Sequence, residues 1–90
     1  MADITIQQPL RGELVPGLNI KKLITAILTL EKDGWFASDI VFGEYANGST
    51  QEEVVANLRI KIAKWYRKCE ANKESEPEIF EVLQKYIEEV

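Results

Sequence analysis

ITAILTLEKDGWFASDIVF, residues 24–42, followed after a short gap by NGSTQEEVVANLRIKIAKWY, residues 47–66, decides the fold of this chain. The first segment alternates. Ile24, Ala26, Leu28 and Leu30 fall on one face at period two, while Leu23, Thr25, Ile27 and Thr29 fall on the other, where threonine tolerates water. Lys32-Asp33-Gly34 interrupts the run, and Asp-Gly favours a tight hairpin turn because glycine accepts a positive φ. Trp35 to Phe42 then reads as the return strand, with Phe36, Ser38, Ile40 and Phe42 on one side and Trp35, Ala37, Asp39 and Val41 on the other. A hairpin over 23–42 follows.

The second segment is helical. Thr50 with Glu53 three residues on makes a capping box, and Ser49 with Glu52 offers the same geometry one residue earlier. Val54, Leu58, Ile62, Trp65 and Cys69 form one apolar stripe, widened by Val55 and Tyr66. Glu52 and Glu53 sit at the positive end of the helix dipole and Arg67 and Lys68 near the negative end, each placement being worth about 0.3–1 kcal/mol. A long helix over 51–70 is expected, preceded by a loop over 43–47.

Outside this core the pattern is weaker. Residues 3–8 alternate as a short edge strand that Pro9 ends, because proline cannot donate to a ladder. Pro9 to Asn19 reads as a loop, with Pro16-Gly17 at the centre of a type II turn and Leu10, Leu14, Val15 and Leu18 packing it onto the body. Beyond a break at 71–75, Ser75 is placed to cap a second helix over 76–89, with Pro77 in its first turn and a stripe of Ile79, Leu83, Tyr86, Ile87 and Val90. The expected architecture is therefore α+β in one domain over 1–90. It comprises an N-terminal strand and loop (1–22), a core (23–70) with a small antiparallel sheet of about three strands under the long helix, and an acidic C-terminal helix (75–90).

Ninety residues give a modest core. A composition 46% hydrophobic and 29% charged is that of a globular protein, and a net charge of −4 argues against general nucleic-acid binding. One cysteine excludes an intrachain disulfide and suits a reducing compartment. Met1-Ala2-Asp3-Ile4 lacks the basic segment and apolar run of a secretory signal, so a cytoplasmic location without membrane association is expected.

The chemistry-bearing residues are few. Without histidine there is no Ser-His or Cys-His system, and the commonest metal ligand is missing. Cys69 lies on the apolar stripe and reads as a packed thiol. Gly43 and Gly48 do not form a phosphate loop, and Asp39 with Glu44 is the one carboxylate pair placed to hold a metal, although turn and surface roles explain both more simply. No enzyme activity, metal or cofactor is expected. Arg59, Lys61, Lys64, Arg67 and Lys68 cluster on the long helix. They are phosphate contacts, a solvated face, or the complement of the C-terminal acids Glu74 to Glu89. Trp35 after the turn and Tyr45 in the following loop are the aromatics placed to anchor a partner, whereas Trp65 follows the core periodicity.

The run from Ile24 to Tyr66 resembles the HicB-like family of small antitoxin-related domains. Its junction Gly48-Ser49-Thr50-Gln51-Glu52-Glu53 and the continuation Ala56-Asn57-Leu58 carry the resemblance. Val41 to Tyr45 departs from the Leu-Pro-Gly-Cys type of loop found there, and only about 20 residues follow the helix in place of a DNA-binding segment. The resemblance implies a degenerate ribonuclease-H-like α+β domain without catalytic residues that acts by binding another protein: a small basic toxin-like chain or a second copy of itself. On this reading the partner-binding residues are Trp35, Tyr45, Arg59, Lys64 and Arg67. The alternative is a nucleic-acid-binding regulator that uses the basic face of helix 51–70.

Overall fold

The computed structural model describes residues 4–90, so Asp3, placed above at the start of the first strand, lies outside the described residues. The chain is α+β, with two antiparallel sheets and two helices in the order β1 (Thr5–Leu10), β2 (Glu13–Val15), β3 (Leu18–Ile20), β4 (Ile24–Glu31), β5 (Gly34–Asp39), β6 (Tyr45–Gly48), α1 (Gln51–Ala71), α2 (Pro77–Gln84), β7 (Ile87–Glu89). The larger sheet has strand order β1-β4-β5-β6 and the smaller β2-β3-β7.

The expected hairpin is β4–β5. Its register sets Leu30 against Trp35, Leu28 against Ala37 and Ala26 against Asp39, and these side chains face α1. Ile24, Ala26, Leu28 and Ala37 are fully buried there. The strand stops at Asp39, earlier than the Phe42 expected, because Asp39 turns its carboxylate onto the chain that follows. One oxygen accepts from the Val41 N–H at 2.9 Å and from the Phe42 N–H, and the other accepts from the Glu44 N–H at 2.9 Å.

That turn returns the chain as a further strand. Residues 43–47, expected as loop, contribute most of β6, which pairs Ala46 with Ala37 and Tyr45 with Ser38. Gly48 ends β6 under the start of α1. A Cβ there would lie 2.6 Å from the Val54 backbone nitrogen, so only glycine allows the helix to seat this close. Thr50 is the N-cap, its hydroxyl accepting from the Glu53 N–H at 3.0 Å. The Glu53 carboxylate reaches back to the Ser49 N–H at 2.8 Å. The capping box thus closes on Thr50, not on Ser49, with the return bond falling one residue before the cap.

Helix α1 buries Val54, Val55, Leu58, Ile62, Ala63, Tyr66 and Cys69. Full burial of a side chain such as Leu58 or Ile62 contributes about 1.5–3 kcal/mol. Trp65 is only partly buried at the border of this core. At 21 residues the helix is about 32 Å long, the longest element of the fold. Near its start the Asn57 amide donates to the Asn47 carbonyl of β6 at 2.8 Å; further on, Tyr66 packs against Phe80 of α2 with ring centroids 5.3 Å apart.

The remaining expectations are corrected. Pro9 does not end β1, which pairs with β4 through Leu10. The Leu30 N–H donates to the Ile4 carbonyl, so Thr5, Gln7 and Pro9 stand at the alternate positions whose backbone groups point to the free edge, where a missing N–H costs nothing. The loop expected from Pro9 to Asn19 is largely the β2–β3 hairpin, turned at Pro16-Gly17 with Gly17 at φ 94°. The C-terminal helix is shorter than 76–89. It begins after Glu76, not Ser75, makes no side-chain cap bond, and ends at Gln84. Phe80 and Leu83 are its buried residues, while Ile79 and Val82 are exposed. Ile87–Glu89 instead adds to β3, held at its ends by the Lys21 N–H on the Tyr86 carbonyl and by the Val90 N–H on the Gly17 carbonyl. Val90, assigned to the helical stripe, is exposed.

Candidate functional site

Two of the five residues assigned to partner binding come together. Trp35, at the end of β5 nearest the hairpin turn, and Arg59, two turns into α1, line one groove of about 690 Å³ between the helix and the sheet. Gln8 of β1 reaches it from the other side, and Val55 and Ala56 form the helical wall. The groove exists because α1 lies over β5 and β6 and leaves the helix-facing side of β1 partly open. Glu52 and the capped residues Ser49 to Gln51 close its end. Its lining combines an apolar floor with amides and one charge of each sign, a surface for a polypeptide more than for a small apolar ligand.

Arg59 is also structural. Its guanidinium donates to the Glu13 carbonyl at 3.0 Å and the Arg11 carbonyl at 3.3 Å, fastening the joint between the two sheets to α1. That role was not legible in the sequence, because the carbonyls it satisfies lie more than forty positions away.

Tyr45 is elsewhere. It projects from β6 on the side of the sheet opposite α1, stacks on Phe36 with centroids 5.9 Å apart, and carries the Lys61 ammonium 5.0 Å over its ring. Arg67 lies at the far end of α1, where Nη1 is 3.1 Å from Glu70 and 2.7 Å from Glu89 of β7. The expected pairing of the basic helix with the C-terminal acids is realised at this point, through β7. The two carboxylates raise the Arg67 pKa, Glu70 first. Glu70 is in turn lowered, chiefly through its pairing with the Glu89 carboxyl and then through Arg67. Lys64 is exposed. The five basic side chains are therefore not one field: Arg59 is bound to carbonyls, Arg67 to acids, and Lys61 and Lys68 lie over the rings of Tyr45 and Trp65.

The groups with chemical potential have structural partners. Asp39 is 3% exposed and both its oxygens accept backbone N–H groups, so it caps the turn to Glu44 and does not pair with the Glu44 side chain as a metal ligand. Among the described residues no group of three or more metal-ligating side chains gathers. Cys69 is buried between α1 and α2, and burial, then the Glu76 charge, raise its pKa, keeping the thiol protonated at neutral pH. Tyr66 is raised by burial and by Glu89 and Glu70. Among the described residues no helix is long and apolar enough to cross a membrane. Comparison with family models, curated proteins and solved structures finds no match to this chain.

Proposed function

We propose that this chain is a non-enzymatic protein-binding domain of the HicB-like kind, which regulates another protein by taking an extended segment of it at the groove beside α1. The observation that supports this most is the meeting of Trp35 and Arg59 on one groove that reaches β1, a strand with a free edge. Thr5 and Gln7 direct their backbone groups outward along that edge. An added strand would take main-chain hydrogen bonds there and place alternate side chains in the groove. Glu52 at the groove's end is a counter-charge for a basic segment, in keeping with a small basic toxin-like partner.

The test is co-purification from native extract, with the mass of the eluted species read by light scattering. Wild type is expected to hold one stoichiometric small protein. Ala56→Arg, which fills the groove from an exposed helical position, is expected to release it while leaving the circular dichroism spectrum unchanged. Retention of the same partner by Ala56→Arg and by Trp35→Ala would sink the groove reading.

A further inference from the structure

A cavity of about 210 Å³ opens where the two sheets meet, between the end of β1 and the connection from β3 to β4. Its walls are of two kinds. Leu10, Ile20 and Leu23 are apolar, Arg11, Lys21 and Lys22 are cationic, and no carboxylate lines it. Leu10 is fully buried, while Leu23 is 48% exposed. The backbone around it is tied down: the Lys21 N–H donates to the Tyr86 carbonyl at 2.7 Å and the Ile20 N–H to the Gly12 carbonyl at 2.8 Å. The cavity is thus built into the joint between the sheets. None of these six residues lines the groove beside α1.

The cations are held in place without being neutralised. The Lys21 ammonium donates to the Gln84 carbonyl at 3.0 Å, at the C-terminal end of α2. The Lys22 ammonium lies 5.1 Å over the Tyr86 ring. A carbonyl and a ring position a cation but leave its charge intact. Among the described residues only Arg67 forms ion pairs, so Arg11, Lys21 and Lys22 have no acid partner. The chain carries 15 acidic residues against 11 basic ones, yet no acid is spent on these three. Like charges gathered beside an apolar wall repel one another, and an anion entering the cavity relieves that repulsion.

We propose that this cavity binds a small organic anion, a short-chain carboxylate whose head pairs with Arg11, Lys21 and Lys22 and whose stem packs on Leu10, Ile20 and Leu23. Size sets the class. At about 30 Å³ for each heavy atom, the share a water molecule takes in the liquid, the cavity holds about seven. A carboxyl group uses three of them and leaves about four carbons for the apolar wall, whereas a phosphate uses five and leaves about two. The volume is below the roughly 300–1,000 Å³ of sites for drug-sized ligands, in keeping with a ligand this small. A nucleic acid is not the occupant: its charges recur about every 1.7 Å along a duplex, and three cations around one cavity do not track them. The cavity lies apart from the groove and adds a ligand to the groove reading, so either stands if the other fails.

Amide chemical shifts of the isotope-labelled full chain, titrated with sodium pentanoate, decide it. The amides of Arg11, Gly12 and Ile20 to Leu23 are expected to move saturably, with half-saturation on the order of 1 mM, which a ligand of about seven heavy atoms allows. Inorganic phosphate has the charge without the stem and pentanol the stem without the charge, and each is expected to need about tenfold more. Lys21→Gln combined with Lys22→Gln is expected to raise the pentanoate half-saturation about tenfold. Lys73→Gln, an equal charge change at an exposed position just past α1, is expected to leave it as in wild type. Arg11→Gln carries the same test from a third exposed side chain should the double variant lose its fold. Shifts that never saturate, that spread evenly over the surface lysines, or that inorganic phosphate reproduces at equal concentration overturn the proposal. So does pentanoate binding that Arg11→Gln and the double variant both leave unweakened.

Discussion

Asp39 shows how a single residue sets a strand's length. Its position on the buried side of β5 leaves the carboxylate beside the backbone of the turn, and three N–H groups converge on it. Hydrogen bonds to a charged acceptor contribute about 1.5–3 kcal/mol each, and removing the acceptor leaves partly buried donors without one. Asp39→Ala is therefore expected to lose about 3 kcal/mol of unfolding free energy, measured by urea titration, and to free the Val41–Glu44 amides to hydrogen exchange. Asp39→Asn keeps one oxygen but turns an NH₂ toward an N–H, so it is expected to fall between the two. Gly48 acts by absence: its lack of a Cβ lets Val54 sit against the end of β6. Asp39 was legible as a residue on the same face of the strand as Trp35 and Ala37. Its capping role was not, because nothing in the spacing of Asp39 and Glu44 distinguishes a bond to the Glu44 side chain from one to its backbone.

At the scale of elements, α1 organises everything else. Its N-terminus lies on β6, its middle holds the β1–β2 joint through Arg59, and its last turns meet α2 and β7. The tie between α1 and β7 is ionic. Glu70 has its pKa lowered in the folded state, so its contribution to stability is present above the unfolded carboxylate pKa, near 4.3, and is lost as pH falls through the lower folded value. Urea midpoints measured from pH 7 to pH 3 are expected to fall less in Glu70→Gln than in wild type, the difference opening only below about pH 4. Arg67 and Glu89, which form the tie across to β7, are exposed and Glu70 is partly so, and the effect is expected to be modest and to shrink in salt. The helix itself was plain in the sequence, from its cap and its stripe. The strands β6 and β7 were not. β6 is four residues long and β7 three, too short for alternation to be read, and Ile87 satisfies a helical spacing from Leu83 as readily as a strand position.

The whole molecule is two sheets joined by one helix over one continuous core. The smaller sheet depends on a strand from the other end of the chain: β7 completes β2–β3 and buries Ile87 opposite Ile20. A two-stranded ribbon alone is marginal in water. Deleting residues 87–90 is expected to abolish hydrogen-exchange protection of the Leu18–Ile20 amides and to leave that of β4 and β5 largely intact, with a loss of global stability of about 2–5 kcal/mol, the range for removing a large buried aliphatic side chain. Sequence by itself determined the hairpin, the long capped helix and the α+β class, because alternation, helical periodicity and capping are written within a few residues of where they act. Tertiary structure alone decided that Pro9 sits inside an edge strand, that the C-terminal segment leaves its helix to pair with β3, and that Trp35 and Arg59 share a groove while Tyr45 and Arg67 do not. These depend on which backbone groups find partners across tens of residues, and local spacing carries no record of that.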